Sequence, residues 1–161
     1  MIVRDAHLFD VVHVTYNMRK LNADETFALR FKPTFESVGA ELIARAGADN
    51  CIKCFALCND AGEPVALAGA WLVAPGVATV HLVATDKWLT VSRAAYRWIK
   101  REFIPFVLEP NVRRAETRVM DRGIHDRAWL HRLGFMDEGH ARKLGRNGED
   151  FVYLAWINRS A

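Results

Sequence analysis

A chain of 161 residues, 51% hydrophobic and 25% charged, has the size and composition of one folded domain with a substantial core, which excludes an intrinsically disordered polymer. No apolar run approaches the roughly 20 residues that span a bilayer. Met1-Ile2-Val3-Arg4-Asp5 lacks the basic region and apolar stretch of a secretory signal, so a cytoplasmic protein, or one carried inside a particle, is expected. The net charge of +3 is modest, and no partner membrane is implied.

In chain order, residues 1–4 read as a short strand, with Asp5 placed to cap the first helix. Residues 7–19 carry Leu8, Val11, Val12 and Tyr16, and residues 34–46 carry Phe35, Val38, Leu42 and Ile43, both at the three-four spacing of amphipathic helices. Between them Asn22-Ala23-Asp24-Glu25 opens a shorter helix that ends near Pro33. The period then changes. Residues 51–58, 65–73 and 77–84 are apolar strands joined by Asn59-Asp60-Ala61-Gly62-Glu63-Pro64 and Pro75-Gly76, an antiparallel meander. A helix follows from about Thr90 through Val91, Ala95, Trp98, Ile99 and Phe103 to about Pro105. Next come a strand at 114–120 and a helix at 124–133 stopped by Gly134. A hairpin of strands 136–144 and 150–157 closes the chain, its tight turn attributed to Asn147-Gly148. A strand-helix-strand crossover inside an otherwise antiparallel set predicts a mixed, splayed α/β sheet of about seven strands in one domain over residues 1–161.

Two clusters invite functional readings. Cys51, Cys54 and Cys58 contain a Cys-x-x-Cys, but no fourth ligand stands at zinc-site spacing. On a strand Cys51 and Cys54 point to opposite faces, so reduced thiols and no metal site are expected. From Arg93 onward there are twelve arginines, among them Arg113, Arg114, Arg118, Arg122, Arg127 and Arg132. They read chiefly as a solvated face beside Glu109, Glu116 and Asp126. Phosphate neutralisation on nucleic acid is the weaker alternative, since no stacking or helix-turn-helix motif accompanies them.

The element order, together with Ala128-Trp129-Leu130-His131-Arg132-Leu133-Gly134-Phe135-Met136-Asp137-Glu138-Gly139 and the following Gly145-Arg146-Asn147-Gly148-Glu149-Asp150-Phe151, resembles the GNAT (N-acetyltransferase) superfamily from end to end. The resemblance implies an acetyl-CoA-dependent transfer to an amine or a protein amino group. It further implies a central strand whose backbone pairs with the pantetheine arm, and a following helix N-terminus that receives pyrophosphate. The implied cofactor-binding residues are Leu82 and Val83 on the strand, and Lys87, Thr90, Ser92 and Arg93 beyond it. The family's loop reads Arg/Gln-x-x-Gly-x-Gly/Ala. Aligned from Val80-His81-Leu82-Val83, the positions here are Trp88, Leu89, Val91 and Arg93, with no glycine among them. Either Thr90 and Ser92 donate hydroxyls while Lys87 and Arg93 supply charge, or Trp88 and Leu89 pack into the vacated space. The family's tyrosine acid falls on Leu130 and its helix-opening asparagine on Gly123. His81 remains as a candidate base, with His125 or His131 as a candidate acid.

A narrower resemblance rests on Val83-Ala84-Thr85-Asp86-Lys87-Trp88, on Ser92-Arg93 and on Trp129 to Phe135. These are similar to GNAT-like proteins of tailed phages, including internal virion and assembly proteins of short-tailed phages. It implies an alternative: a non-catalytic protein, located in the virion, acting through contacts with phage structural proteins.

Overall fold

The computed structural model describes residues 1–108 and 111–158. Seven strands form one sheet: β1 (Ile2–Asp5), β2 (Cys51–Cys58), β3 (Pro64–Ala74), β4 (Val77–Ala84), β5 (Arg114–Met120), β6 (Met136–Ala141) and β7 (Phe151–Ile157). Their order is β1-β2-β3-β4-β5-β7-β6. All neighbours are antiparallel except β4 and β5, which are parallel. This is the mixed α/β sheet expected from the alternation of strand and helix periods.

On one face lie α1 (Leu8–Tyr16), α2 (Lys20–Ala28) and α3 (Phe35–Ala46). The other face is covered by α4 (Trp88–Trp98), α5 (Ile104–Leu108) and α6 (Ile124–Leu133). Trp88, Val91, Ala95, Ile99, Phe103 and Val107 recur at three or four residues and are all buried against Leu57, Ala66, Ala68 and Val152 of the sheet. That stripe is why the helical path outruns its expected end at Pro105. A π-helical turn at Ile99–Phe103 joins α4 to α5, and Pro105 falls in the first turn of the new segment, where a missing N–H is tolerated. The helix also starts two residues earlier than the expected Thr90.

Three local expectations are corrected. Asp5 does not cap α1; it pairs with Lys53 Nζ at 2.8 Å, while Asp10 accepts the His7 N–H at 2.8 Å. Asp10 is fully buried and takes both Arg4 amines, at 2.5 and 2.7 Å. That pairing turns the Val11–Val14–Thr15 stripe of α1 inward and leaves Leu8, Val12 and Tyr16 exposed. The β6–β7 hairpin has no tight Asn147-Gly148 turn. Residues 142–150 form a longer loop, and its left-handed positions are Lys143 (φ 54°) and Gly148 (φ 87°).

The third correction concerns the cysteines. The bulge between Cys51 and Lys53 interrupts the alternation expected of Cys51 and Cys54. Burial, then the neighbouring Cys51 and Asp10, push the Cys54 thiol up to about 11, and all three thiols are free. Gly134 does end α6 in the left-handed region, at φ 103°. Its N–H reaches His131 O at 3.0 Å and the Phe135 N–H reaches Leu130 O at 3.1 Å, the doubly bonded helix stop that glycine permits. Among the described residues no helix is long and apolar enough to cross a membrane.

Candidate active site

The parallel pairing of β4 and β5 lasts only from Val77 opposite Arg114 to Thr79 opposite Glu116. Beyond it the strands diverge and the sheet opens into a cleft of about 450 Å³ between them, within the range of small-molecule sites. The Ala84 N–H donates to Asn22 Oδ1 at 3.0 Å and its carbonyl accepts from Arg19 N at 2.8 Å. The adjacent Thr85 N–H points the other way, to Val65 O on β3. Backbone direction alternates along a strand. The N–H and C=O of Leu82 therefore face the same open edge as those of Ala84, with no strand beside them. Val83 turns its backbone to β3 and its side chain to the Val11–Val14 cluster.

Helix α2 lies across the wide end of this opening. Asn22 holds β4 at Ala84, and one turn later Glu25 Oε1 accepts the Met120 N–H of β5 at 2.7 Å. Arg19 pairs with Asp126 of α6 at 2.7 Å, and Arg122 with Asp24 at 2.7 Å. Burial, opposed by the Met120 N–H and aided by the charge of Asp126, raises the Glu25 carboxyl to about 7. Sequence reasoning missed this residue. The signal that existed, a carboxylate on the helix expected after Asn22, says nothing of the strand end it meets 95 residues later.

Of the three candidate histidines only His81 lines the cleft. His81 is exposed to solvent within the cleft and is flanked by its walls. Loss of bulk solvent, followed by the charges of Arg45, Arg118 and Arg30, lowers it to about 4. At neutral pH it is an uncharged ring and a weak proton acceptor. His125 is exposed at the start of α6, and His131 Nε2 lies 2.8 Å from Asp137 on the outer surface. The structure does not bring the three together. Leu130 lines the cleft where the resemblance places an acid.

The start of α4 has its own arrangement. Trp88 is buried and meets Trp129 of α6 edge to face at 5.8 Å, bridging the two helices on the α4 side of the cleft. Leu89, in contrast to the expectation that it packs inward, is 84% exposed. Thr90 Oγ1 donates to Lys87 O at 2.7 Å, and Ser92 Oγ donates to Leu89 O at 3.3 Å. Lys87 Nζ is held by both Glu63 oxygens, at 2.6 and 2.8 Å. The Arg93 side chain is exposed and has no partner among the described residues. The open Leu82 edge would suit an extended amide chain such as that of acetyl-CoA, whereas the start of α4 would offer a phosphate the Arg93 side chain and the helix terminus without a glycine cradle.

The arginine array is largely internal pairing. Arg114 is bonded to Glu116 and Glu138, Arg122 to Asp24, and Arg127 to Asp121 and Asp137, while Arg113 donates to Pro75 O. Glu109 lies outside the described residues.

By sequence, no family model and no curated protein matches the chain. Solved structures do match. A ribosomal-protein-alanine N-acetyltransferase from Brucella melitensis has a TM-score of 0.73 at 14% identity, covering 98% of this chain and 100% of that one. A point mutant of a spermidine N-acetyltransferase from Vibrio cholerae has a TM-score of 0.72 at 12% identity, with 100% of both chains covered. The ribosomal-protein-S18-alanine N-acetyltransferase of Escherichia coli has a TM-score of 0.68 at 16% identity, covering 97% and 92%. The diverging β4 and β5, the helix stop at Gly134 and these superpositions agree: the chain has the GNAT fold of the N-acetyltransferases.

Proposed function

We propose that the protein is an acetyl-CoA-dependent N-acetyltransferase that grips its donor by the strand edge rather than by a phosphate loop. The observation that carries this reading is the unpaired Leu82 backbone on an open cleft with Glu25 at its mouth. Acetyl-CoA supplies an acyl thioester. The Leu82 N–H and C=O are placed to bond an amide arm, or to polarise a carbonyl. Glu25, near 7, is tuned to take the proton an ammonium must lose before it attacks, through cleft water. The uncharged His81 ring adds a hydrogen-bonding wall without a second positive charge.

The test is a calorimetric titration of the whole protein with acetyl-CoA, followed by acetylation assays over a panel of amines. Saturable binding and turnover are expected. Absence of binding at millimolar acetyl-CoA would sink the reading.

One observation favours a second reading. Trp88 against Trp129, with Thr90, Ser92 and Lys87 all engaged within the protein, is what a fold kept without its chemistry would show. A virion or assembly protein of a tailed phage, acting through contacts with phage structural proteins, is the form this takes. Copurification with particles, without turnover of any amine, would decide for it.

A further inference from the structure

The face of the cleft beneath α2 and α3 gathers three arginines, of which one has no carboxylate partner and two share one. Trp71 of β3 forms its floor. The ring lies over Gly69, where a Cβ would stand 2.5 Å from it, and the indole N–H donates to Arg45 O at 2.9 Å. The Arg45 guanidinium stands 5.8 Å from this ring and the His81 ring 5.3 Å from it. Arg45 and Arg30 share one carboxylate: Glu41 accepts from Arg45 Nε at 2.9 Å and from Arg30 Nε at 2.8 Å. Two guanidiniums on one acid leave one net positive charge.

Arg118 of β5 adds another. It lines the same cleft, and its side chain has no hydrogen-bond or ion-pair partner among the described residues. The acid two positions before it, Glu116, bonds Arg114 at 2.9 Å, and Arg114 also holds Glu138, so neither acid pairs with Arg118. The same three arginines, Arg45, Arg118 and Arg30, add to the burial that lowers His81. Arg118 is exposed on the cleft wall, and a guanidinium without a partner there is free to bond an anion with two donors. Met120, where Glu25 docks, is two residues further along β5, on the same strand face and roughly 7 Å away.

We infer that the acceptor of this site is a small amine bearing an anionic group, a carboxylate or phosphate, with the anion received by Arg118 beside the Arg30–Glu41–Arg45 cluster and the amine directed to Glu25. Cationic polyamines are disfavoured by the same charges. This rests on the acetyltransferase reading, and its test separates the two. Acetylation by the intact chain is compared for a short ω-amino carboxylate, an aminoalkyl phosphate, the matching uncharged alkylamine and a linear polyamine, in wild type, R118Q and R118K. The anionic amines are expected to lead in kcat/KM by at least tenfold. That lead should collapse through KM in R118Q and be partly kept in R118K, with the carboxylate and phosphate arms showing which anion is preferred. A preference for the polyamine or the alkylamine, or an equal loss for all four in R118Q, overturns the inference and leaves the acetyltransferase reading standing. If no amine is acetylated, the inference is judged by calorimetry alone: tenfold weaker binding of the anionic amines to R118Q supports it, and no binding to wild type overturns it.

Discussion

Glu25 and His81 titrate in opposite senses, and both are set by the cleft. Glu25 in the folded chain stands near 7 against an ordinary 4.5. Its folded form holds a proton that the unfolded chain has lost between those values, so its contribution to stability is full below 4.5 and is lost as pH rises through 7. Substituting Glu25→Gln keeps an oxygen for the Met120 N–H and removes the charge. Unfolding by denaturant should show E25Q more stable than wild type by about 2 kcal/mol at about pH 8, with the gap closing by about pH 4.5. The same variant should lose the rise in kcat/KM centred near 7 if this carboxylate takes the ammonium proton. His81 works the other way. Its folded value near 4 lies below the ordinary 6.5, so its contribution is lost as pH falls from 6.5 through 4. The two windows overlap from 4.5 to 6.5, where the opposed slopes cancel and these two groups leave stability flat. Neither shift was legible from residue order: Glu25 is just a helical carboxylate until Met120 and Asp126 stand beside it.

Among the elements, α2 has the role least visible in the sequence. It has no strong apolar stripe, and only Asn22 and Ala28 of it are buried. Its work is polar: Asn22 and Glu25 bond the ends of two strands that diverge and cannot bond each other. Asn22→Ala would leave the Ala84 N–H buried without an acceptor and Arg19 Nε without its 2.8 Å bond. A loss of about 1–3 kcal/mol in denaturant unfolding is expected. Where an element's purpose was apolar, the sequence was far more readable. The stripe through Val91, Ala95, Ile99 and Phe103, the three meander strands and the Leu133-Gly134-Phe135 stop all appear where the periods place them. The misses, at the α1 face and at the β6–β7 loop, arose where a buried ion pair or a loop's own bonds outweighed the local pattern.

At the scale of the molecule, the proposed donor site divides between a strand edge and a helix start, and the two are unequal here. Glycine loops let backbone amides close on phosphate, while Leu89 and Val91 carry side chains and Thr90 and Ser92 donate to their own helix. The nucleotide end of the donor should then contribute little. Acetyl-pantetheine is expected to support turnover within tenfold of acetyl-CoA in kcat/KM, read by thiol release. A preference for acetyl-CoA of a hundredfold or more would show that Arg93 and the α4 terminus form a working phosphate site.

The sequence by itself determined the alternation of strands and helices, the crossover that makes one strand pair parallel, and the absence of glycine from the loop before α4. Each is written in residues that are neighbours along the chain. Only the tertiary structure decided what the cleft contains. The pairing of Trp88 with Trp129, of Glu25 with Met120, and the gathering of Arg118 with Arg30 and Arg45 join residues tens of positions apart. Charge, burial and proton affinity depend on such distant neighbours, which is why the fold could be read from the chain and the chemistry of its cleft could not.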